Sequence, residues 1–281
     1  MTISYDLAVS HIDPLRRFSR EVASIFDNRR RFRPHAPSSG LVVEVGGGHS
    51  PYPRADLVIE KYVADDFERA DKMSFTRPLV VGDGQRIPLS DDCAAYAIAS
   101  HVLEHATDPT VFASELSRIA RAGYVEVPSR ESELTYGWPF HPWLIDLDGD
   151  TLVFEPRQAS VAPLGQMHHT LFRDSILQQL SFASHRQTWH HAVEWVDTLN
   201  VRVLDSSTAP SSASFELDAT IRALESATTT PLPPEVVRIL TCPSCRACVQ
   251  SIDSGRLKCT SCESLYPIVN QVPILIEGVT I

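Results

Sequence analysis

Two Cys-x-x-Cys pairs, Cys242-Pro243-Ser244-Cys245 and Cys259-Thr260-Ser261-Cys262, are separated by thirteen residues. Four thiolates at this spacing supply the tetrahedral ligand set of a closed structural zinc site. Cys248 stands three residues beyond the first pair, either as a spare packed thiol or as an alternative ligand, and the spacing does not choose between them. Five of the six cysteines fall in the last forty residues, while Cys93 stands alone. In a reducing compartment such clustering favours metal ligation over disulfides.

A second chemistry is written between residues 41 and 104. Glu44-Val45-Gly46-Gly47-Gly48-His49-Ser50-Pro51 follows an apolar run directly, where a doubly wound sheet carries its nucleotide loop. Glycine lets the backbone turn sharply and approach a ligand, although a plain tight turn has the same composition. The neighbouring segments decide. Glu60 ends the next apolar run, where a carboxylate can accept both hydroxyls of a ribose. Gly82-Asp83-Gly84-Gln85 ends the third and suits an acceptor for an adenine amino group, and Ser100-His101-Val102-Leu103-Glu104-His105 ends the fourth.

Candidate general bases are His101, His105, His141, His168 and His169. His141 leads because it sits in Trp138-Pro139-Phe140-His141-Pro142-Trp143, an aromatic segment placed to form an acceptor pocket. A hydrogen-bonded structural histidine is the competing reading for each. His141 with His168 and His169 is also an alternative metal set.

Short apolar elements must position these groups. Leu41 to Val45, Leu57 to Glu60, Leu79 to Gly82, Ala95 to Ser100 and Gly123 to Val127 read as buried parallel strands. Asp108 or Thr110 can cap a helix whose core face is Val111, Phe112, Leu116 and Ile119. Leu15, Phe18, Val22, Ile25 and Phe26 mark an amphipathic helix before the first strand, closed by the solvated arginines 29, 30, 31 and 33. Residues 128–171 form an aromatic, histidine-rich insertion in which Asp146 to Asp150 predicts a hairpin turn. Asp174 to Leu180 predicts a helix, His191 to Leu204 late strands, and Leu217 to Leu224 a helix between Ser/Thr/Pro-rich linkers. Only seven residues separate Gly48 from Asp56, with Pro51 and Pro53 among them. A crossover helix therefore cannot fit between the first two strands.

The bulk numbers agree with this plan. A chain of 281 residues holds one full-sized domain and a small appendage, read as residues 1–230 and 235–281. The apolar fraction of 43% and charged fraction of 21% are those of a packed globular protein. A formal net charge of -10 without a long basic run argues against a nucleic-acid partner. No run of about 18 apolar residues could span a bilayer and no basic leader precedes one, so a cytoplasmic location is expected.

ExGxG at Glu44 to Gly48, VGDGQRIPLSDD at Val81 to Asp92 and ASHVLEHATDP at Ala99 to Pro109 together resemble the class I S-adenosylmethionine-dependent methyltransferases, in particular the type 11 subgroup. The resemblance spans roughly residues 38–130 and implies a doubly wound, mainly parallel α/β sheet. It implies that Gly46, Gly48 and Glu44 serve the methionine portion of the cofactor, that Glu60 holds the ribose, and that Asp83 and Gly84 contact adenine. Ser100 and His101 would line the methionine side beside the sulfonium. Catalytic candidates are His101 and His141. The segment from Leu240 onward, with both knuckles, Tyr266-Pro267-Ile268 and Val272-Pro273-Ile274-Leu275, is similar to the small zinc-binding activator subunit of methyltransferases. That likeness implies a zinc-ribbon-like β module packing on the catalytic domain in cis.

The expected activity is methyl transfer to a small-molecule, sugar or peptide-like acceptor. Two alternatives stand beside it: a non-methylating use of S-adenosylmethionine, such as intramolecular cyclisation releasing methylthioadenosine, and a catalytically silent binding scaffold.

Overall fold

The structure, a computed structural model, describes residues 34–66, 69, 71–157, 162, 164–204 and 214–279. The expected helix over residues 15–26, the arginine run behind it and most of the first Ser/Pro-rich linker lie outside these residues.

Four short strands form the centre: β1 (Val42–Val45), β2 (Leu57–Glu60), β3 (Leu79–Gly82) and β4 (Tyr96–Ser100). Nearly every residue in them is buried, as expected for β-branched runs covered on both faces of a parallel sheet. α1 (Pro109–Ile119) begins at Asp108, whose carboxylate accepts from the backbone N–H of Thr110 and Val111, with Pro109 in the first turn. Its Phe112, Ala113, Leu116 and Ile119 enter the core and lead the chain into β5 (Ala122–Pro128). No helix joins β1 to β2. Asp56 closes that short loop by accepting from Val42 N and from Arg54.

Beyond β5 come α2 (Arg130–Thr135), the hairpin β6 (Trp143–Asp148) and β7 (Thr151–Pro156), then α3 (Gly165–Asp174), α4 (Ile176–Ser184) and α5 (Arg186–Trp189). The hairpin lies where the sequence predicts it. The helix expected over Asp174 to Leu180 is α4, which starts at Ile176 because Ser175 is extended and its hydroxyl caps Gln178 N. α3 was not expected from sequence; its Met167 and Leu171 remain exposed, as does Leu164 before it. The late strands separate: β8 (His190–Val196) pairs antiparallel with β5, whereas β9 (Val201–Val203) runs parallel to β7 in a three-stranded satellite sheet.

After α6 (Leu217–Ser226) and α7 (Pro234–Val237), the C-terminal module supplies β10 (Val249–Asp253), β11 (Arg256–Cys259), β12 (Leu265–Val269) and β13 (Val272–Leu275). The main sheet runs β10-β11-β12-β13-β3-β2-β1-β4-β5-β8. Its middle, β3-β2-β1-β4-β5, is all parallel and reverses direction of build between β1 and β4, the topological switch point where ligands bind in such sheets. β13 runs parallel to β3, with Ile274 opposite Val81 and Leu275 opposite Gly82. The small module thus shares the sheet of the large one. Across the same boundary Arg246 donates to both oxygens of the buried Glu115 on α1, and Arg86 donates to the Pro243 and Ser244 carbonyls.

Candidate active site at the ends of the parallel strands

The glycine loop and the β4 loop meet at the switch point. Gly46 (φ +77°) carries the turn, and a Cβ on it would lie 2.7 Å from Val102 Cγ2. Gly46 is therefore required both by its left-handed backbone and by the close approach of Val102. Gly48 also has positive φ, at +53°. Glu44 is buried beneath the loop; its carboxylate accepts from Tyr52 N at 2.6 Å, and burial pushes its pKa up to about 7. Glu60 accepts from Gly48 N at 3.2 Å and Lys61 N at 3.1 Å, and Arg69 lies 3.3 Å away. Asp83 pairs with Lys61 at 2.7 Å and accepts from Gln85 N. Gly84 has a packing role the sequence did not disclose: a Cβ there would lie 2.2 Å from the Phe112 ring.

Ser100 ends β4, and His101 after it adopts φ +55°, a conformation costly for a residue with a Cβ and concentrated at functional sites. This twist sets the imidazole between two buried carboxylates, with Nδ1 3.3 Å from Glu104 and Nε2 3.4 Å from Glu126. The ring is packed against protein with 41% of its side chain open to solvent. Burial disfavours the charged form, but the two carboxylates outweigh it and raise the His101 pKa to about 10. The flanking carboxylates thus favour the protonated, donor form of His101.

Glu126 is well compensated. Besides His101 it receives Arg186 and the Tyr124 hydroxyl, and these hold its pKa well below the usual carboxylate range despite burial. His190 stacks edge-on against His101 at 5.0 Å, and burial lowers its pKa to about 3. On the other flank, His105 meets His141 edge-on at 4.7 Å and stacks on Phe140. His141 Nδ1 lies 2.6 Å from Glu133 of α2, which also faces Arg157. Burial raises the Glu133 pKa and lowers that of His141. The loop is fixed from two sides: Trp143 Nε1 donates to the Ala106 carbonyl, and Gln85 Oε1 accepts from Thr107 and Asp108 N.

His101 and His141, both candidates from sequence, thus belong to one histidine–carboxylate string together with Glu104, His105, Glu126, Glu133 and His190. His168 and His169 lie apart, around Tyr136 and Trp138. The alternative metal set of His141 with those two does not assemble among the described residues. Glu126, Glu133 and His190 escaped the sequence reading. The available signal was a carboxylate inside the otherwise apolar strand Tyr124-Val125-Glu126-Val127, a position that demands a partner.

In the C-terminal module the sulfurs of Cys242, Cys245, Cys259 and Cys262 all lie within 4.8 Å of one another, with Cys242–Cys262 at 3.6 Å and Cys245–Cys259 at 3.4 Å. None forms a disulfide. A tetrahedron with Zn–S bonds of about 2.3 Å has S···S edges of about 3.8 Å, so the four thiols fit that ion. Cys248 lies outside the cluster, and its carbonyl accepts from Thr260. Among the described residues no helix is long and apolar enough to cross a membrane.

A doubly wound parallel sheet with four polar strand ends at its switch point is the α/β architecture in which nucleotide-type ligands bind at the crevice. Residues 47–125 match the model of a family described as a methyltransferase domain. Similar solved structures include a complex of the Haloferax volcanii Trm112 methyltransferase activator with a methyltransferase, at 13% identity, 67% of this chain, 100% of that chain and TM-score 0.37. An S-adenosylmethionine-dependent methyltransferase from Mesorhizobium loti matches at 13% identity over 66% of this chain and 73% of that one, TM-score 0.28. The cyclase SpnF matches at 14% identity over 64% and 80%, TM-score 0.32. No curated protein matches the chain.

Proposed function

We propose that the chain methylates a small-molecule, sugar or peptide-like acceptor, with S-adenosylmethionine lying across the ends of β1, β2, β3 and β4. The observation that carries this is the junction of Gly46 with Val102, which brings the glycine loop against the histidine–carboxylate string. Glu44 fits the amino-acid end of the cofactor: a buried carboxylate with its pKa raised gains most from an ammonium partner. Gly46 and Gly48 offer backbone, Glu60 the ribose acceptor, Asp83 and Gly84 the adenine edge, and Ser100 with His101 the methionine side. Ribose binding at Glu60 displaces Arg69 or Gly48 N, since those now occupy its oxygens.

When bound, the cofactor supplies a methyl group already activated by a sulfonium, so alignment of the acceptor and exclusion of water matter more than any single base. His101, favoured in its protonated form, donates hydrogen bonds and orients. His141, with Nδ1 engaged by Glu133, keeps Nε2 as the ring atom that can serve an acceptor or an ion. Tyr136, Trp138, Phe140 and Phe182 provide apolar walls that exclude water. The four cysteines bind structural zinc, and the module acts as an in-cis counterpart of the activator subunit by extending the sheet through β13.

Calorimetry with S-adenosylhomocysteine tests the cofactor reading: binding to the wild type that is lost in Glu60→Ala supports it, and absence of binding leaves the scaffold alternative. Incubation with S-adenosylmethionine alone tests the reaction, because methylthioadenosine formed without an acceptor would sink methyl transfer in favour of cyclisation.

A further inference from the structure

We propose that Glu104, His105 and His141 bind a divalent transition-metal ion, separate from the ion held by the four cysteines. Each of the three offers one ligand atom, and all these atoms lie within 4.8 Å of one another. Two imidazoles and a carboxylate suit zinc and its first-row neighbours, and three protein ligands leave coordination positions open.

Glu104 points to the ion most directly. Its side chain is 1% exposed, and neither carboxylate oxygen has a hydrogen-bond partner. His101 Nδ1, 3.3 Å away, pairs with it electrostatically. Buried carboxylates are almost always hydrogen-bonded or coordinate a cation, because an unpaired one costs several kcal/mol on the order of the desolvation penalty. Glu126 supplies the internal control. It lies in the same string, forms a similar trio with His101 and His190, and is already satisfied by Arg186 and Tyr124. Beyond the shared His101, Glu104 thus keeps lone pairs for a further cation in a way that Glu126 does not.

The surroundings match a ligating histidine. His141 Nδ1 is engaged by Glu133, which leaves Nε2 as the ligand atom and fixes the ring, the carboxylate–histidine arrangement found behind metal sites. Glu104 and His105 share a single 3-10 turn, Leu103 to His105, tied down through Ala106 by Trp143. His105 is only half-buried, so the open positions of the ion reach the site from that side. Val102, two residues before Glu104, touches Gly46 of the cofactor loop. An ion here would hold the oxygen or nitrogen lone pair of an acceptor, and this last step rests on the methyltransferase reading above.

The test uses the full chain exposed to Zn2+ or Co2+, desalted, and measured by elemental analysis and absorption. The wild type is expected to hold about two ions per chain, and Glu104→Gln, His105→Ala and His141→Ala about one each, with Cys259→Ser losing the other. The second Co2+ should add weak visible bands without thiolate charge transfer, a reading that requires no variant to fold. About one ion in the wild type, or two ions retained in all three variants, overturns the proposal. S-adenosylhomocysteine affinity, measured in parallel, separates the two claims: a second ion without nucleoside binding leaves the metal site standing and removes the methyltransferase reading.

Discussion

The two ligand clusters are built in opposite ways. The four cysteines come from two tight knuckles in one short module, so each half of the site is fixed by local backbone. Glu104 and His105 come from the β4 loop, His141 from the segment before β6, and its support Glu133 from α2. Local assembly makes the first cluster readable and makes its module dependent on the ion. Assembly from distant segments makes the second invisible in sequence and dependent on the core around it.

The largest effect that would sharpen this contrast is loss of the cysteine-bound ion. Zinc sites in small modules contribute about 10 kcal/mol or more to folding, so Cys242→Ser with Cys245→Ser should abolish zinc retention and the protease resistance of residues after 235. A double variant that keeps its resistance would show that the module folds without metal. Next comes Trp143→Ala, which removes a fully buried ring and the anchor of the β4 loop. A loss of about 3–5 kcal/mol is expected in denaturant unfolding, with zinc at the cysteines unchanged. Should both clusters weaken together, the supposed independence fails.

A smaller effect separates the cofactor loop from either cluster. If Glu44 must ionise to hold the ammonium of S-adenosylhomocysteine, affinity should rise about tenfold between about pH 6 and about pH 8, and Glu44→Gln should flatten that rise. The apo fold has the opposite sign: a carboxylate with raised pKa stabilises it most below pH 4.5, and the contribution is lost as pH rises through about 7. A pH-independent affinity would remove Glu44 from the site. Smallest is Arg246→Ala, which breaks the pair with Glu115; with 42% of the arginine exposed, about 1 kcal/mol is expected from thermal melts at low salt.

The sequence disclosed the parallel strands because short β-branched runs covered on both faces leave continuous apolar stretches between turn residues. The missing crossover helix was equally plain from Pro51 and Pro53. Legibility ended where a residue's purpose lies in something distant. Gly84 looks like part of an adenine loop, yet Phe112, from the next helix, also demands it. His101 looked like a base until Glu104 and Glu126 were seen on either side of its ring. The helix Gly165–Asp174 keeps its apolar Met167 and Leu171 exposed, so it packs no core stripe against the sheet.

The pairing of β13 with β3 has a consequence for solubility. Without it, Leu79-Val80-Val81 would end the sheet as a flat, wholly apolar border with unsatisfied backbone groups, the kind of template that recruits other chains into aggregates. With it, the border moves out to β10, where Gln250, Ser251 and Asp253 are exposed and a register shift between Ser251 and Asp253 disrupts further pairing. The cysteine module thereby exchanges a wholly apolar border for a mostly polar, irregular one.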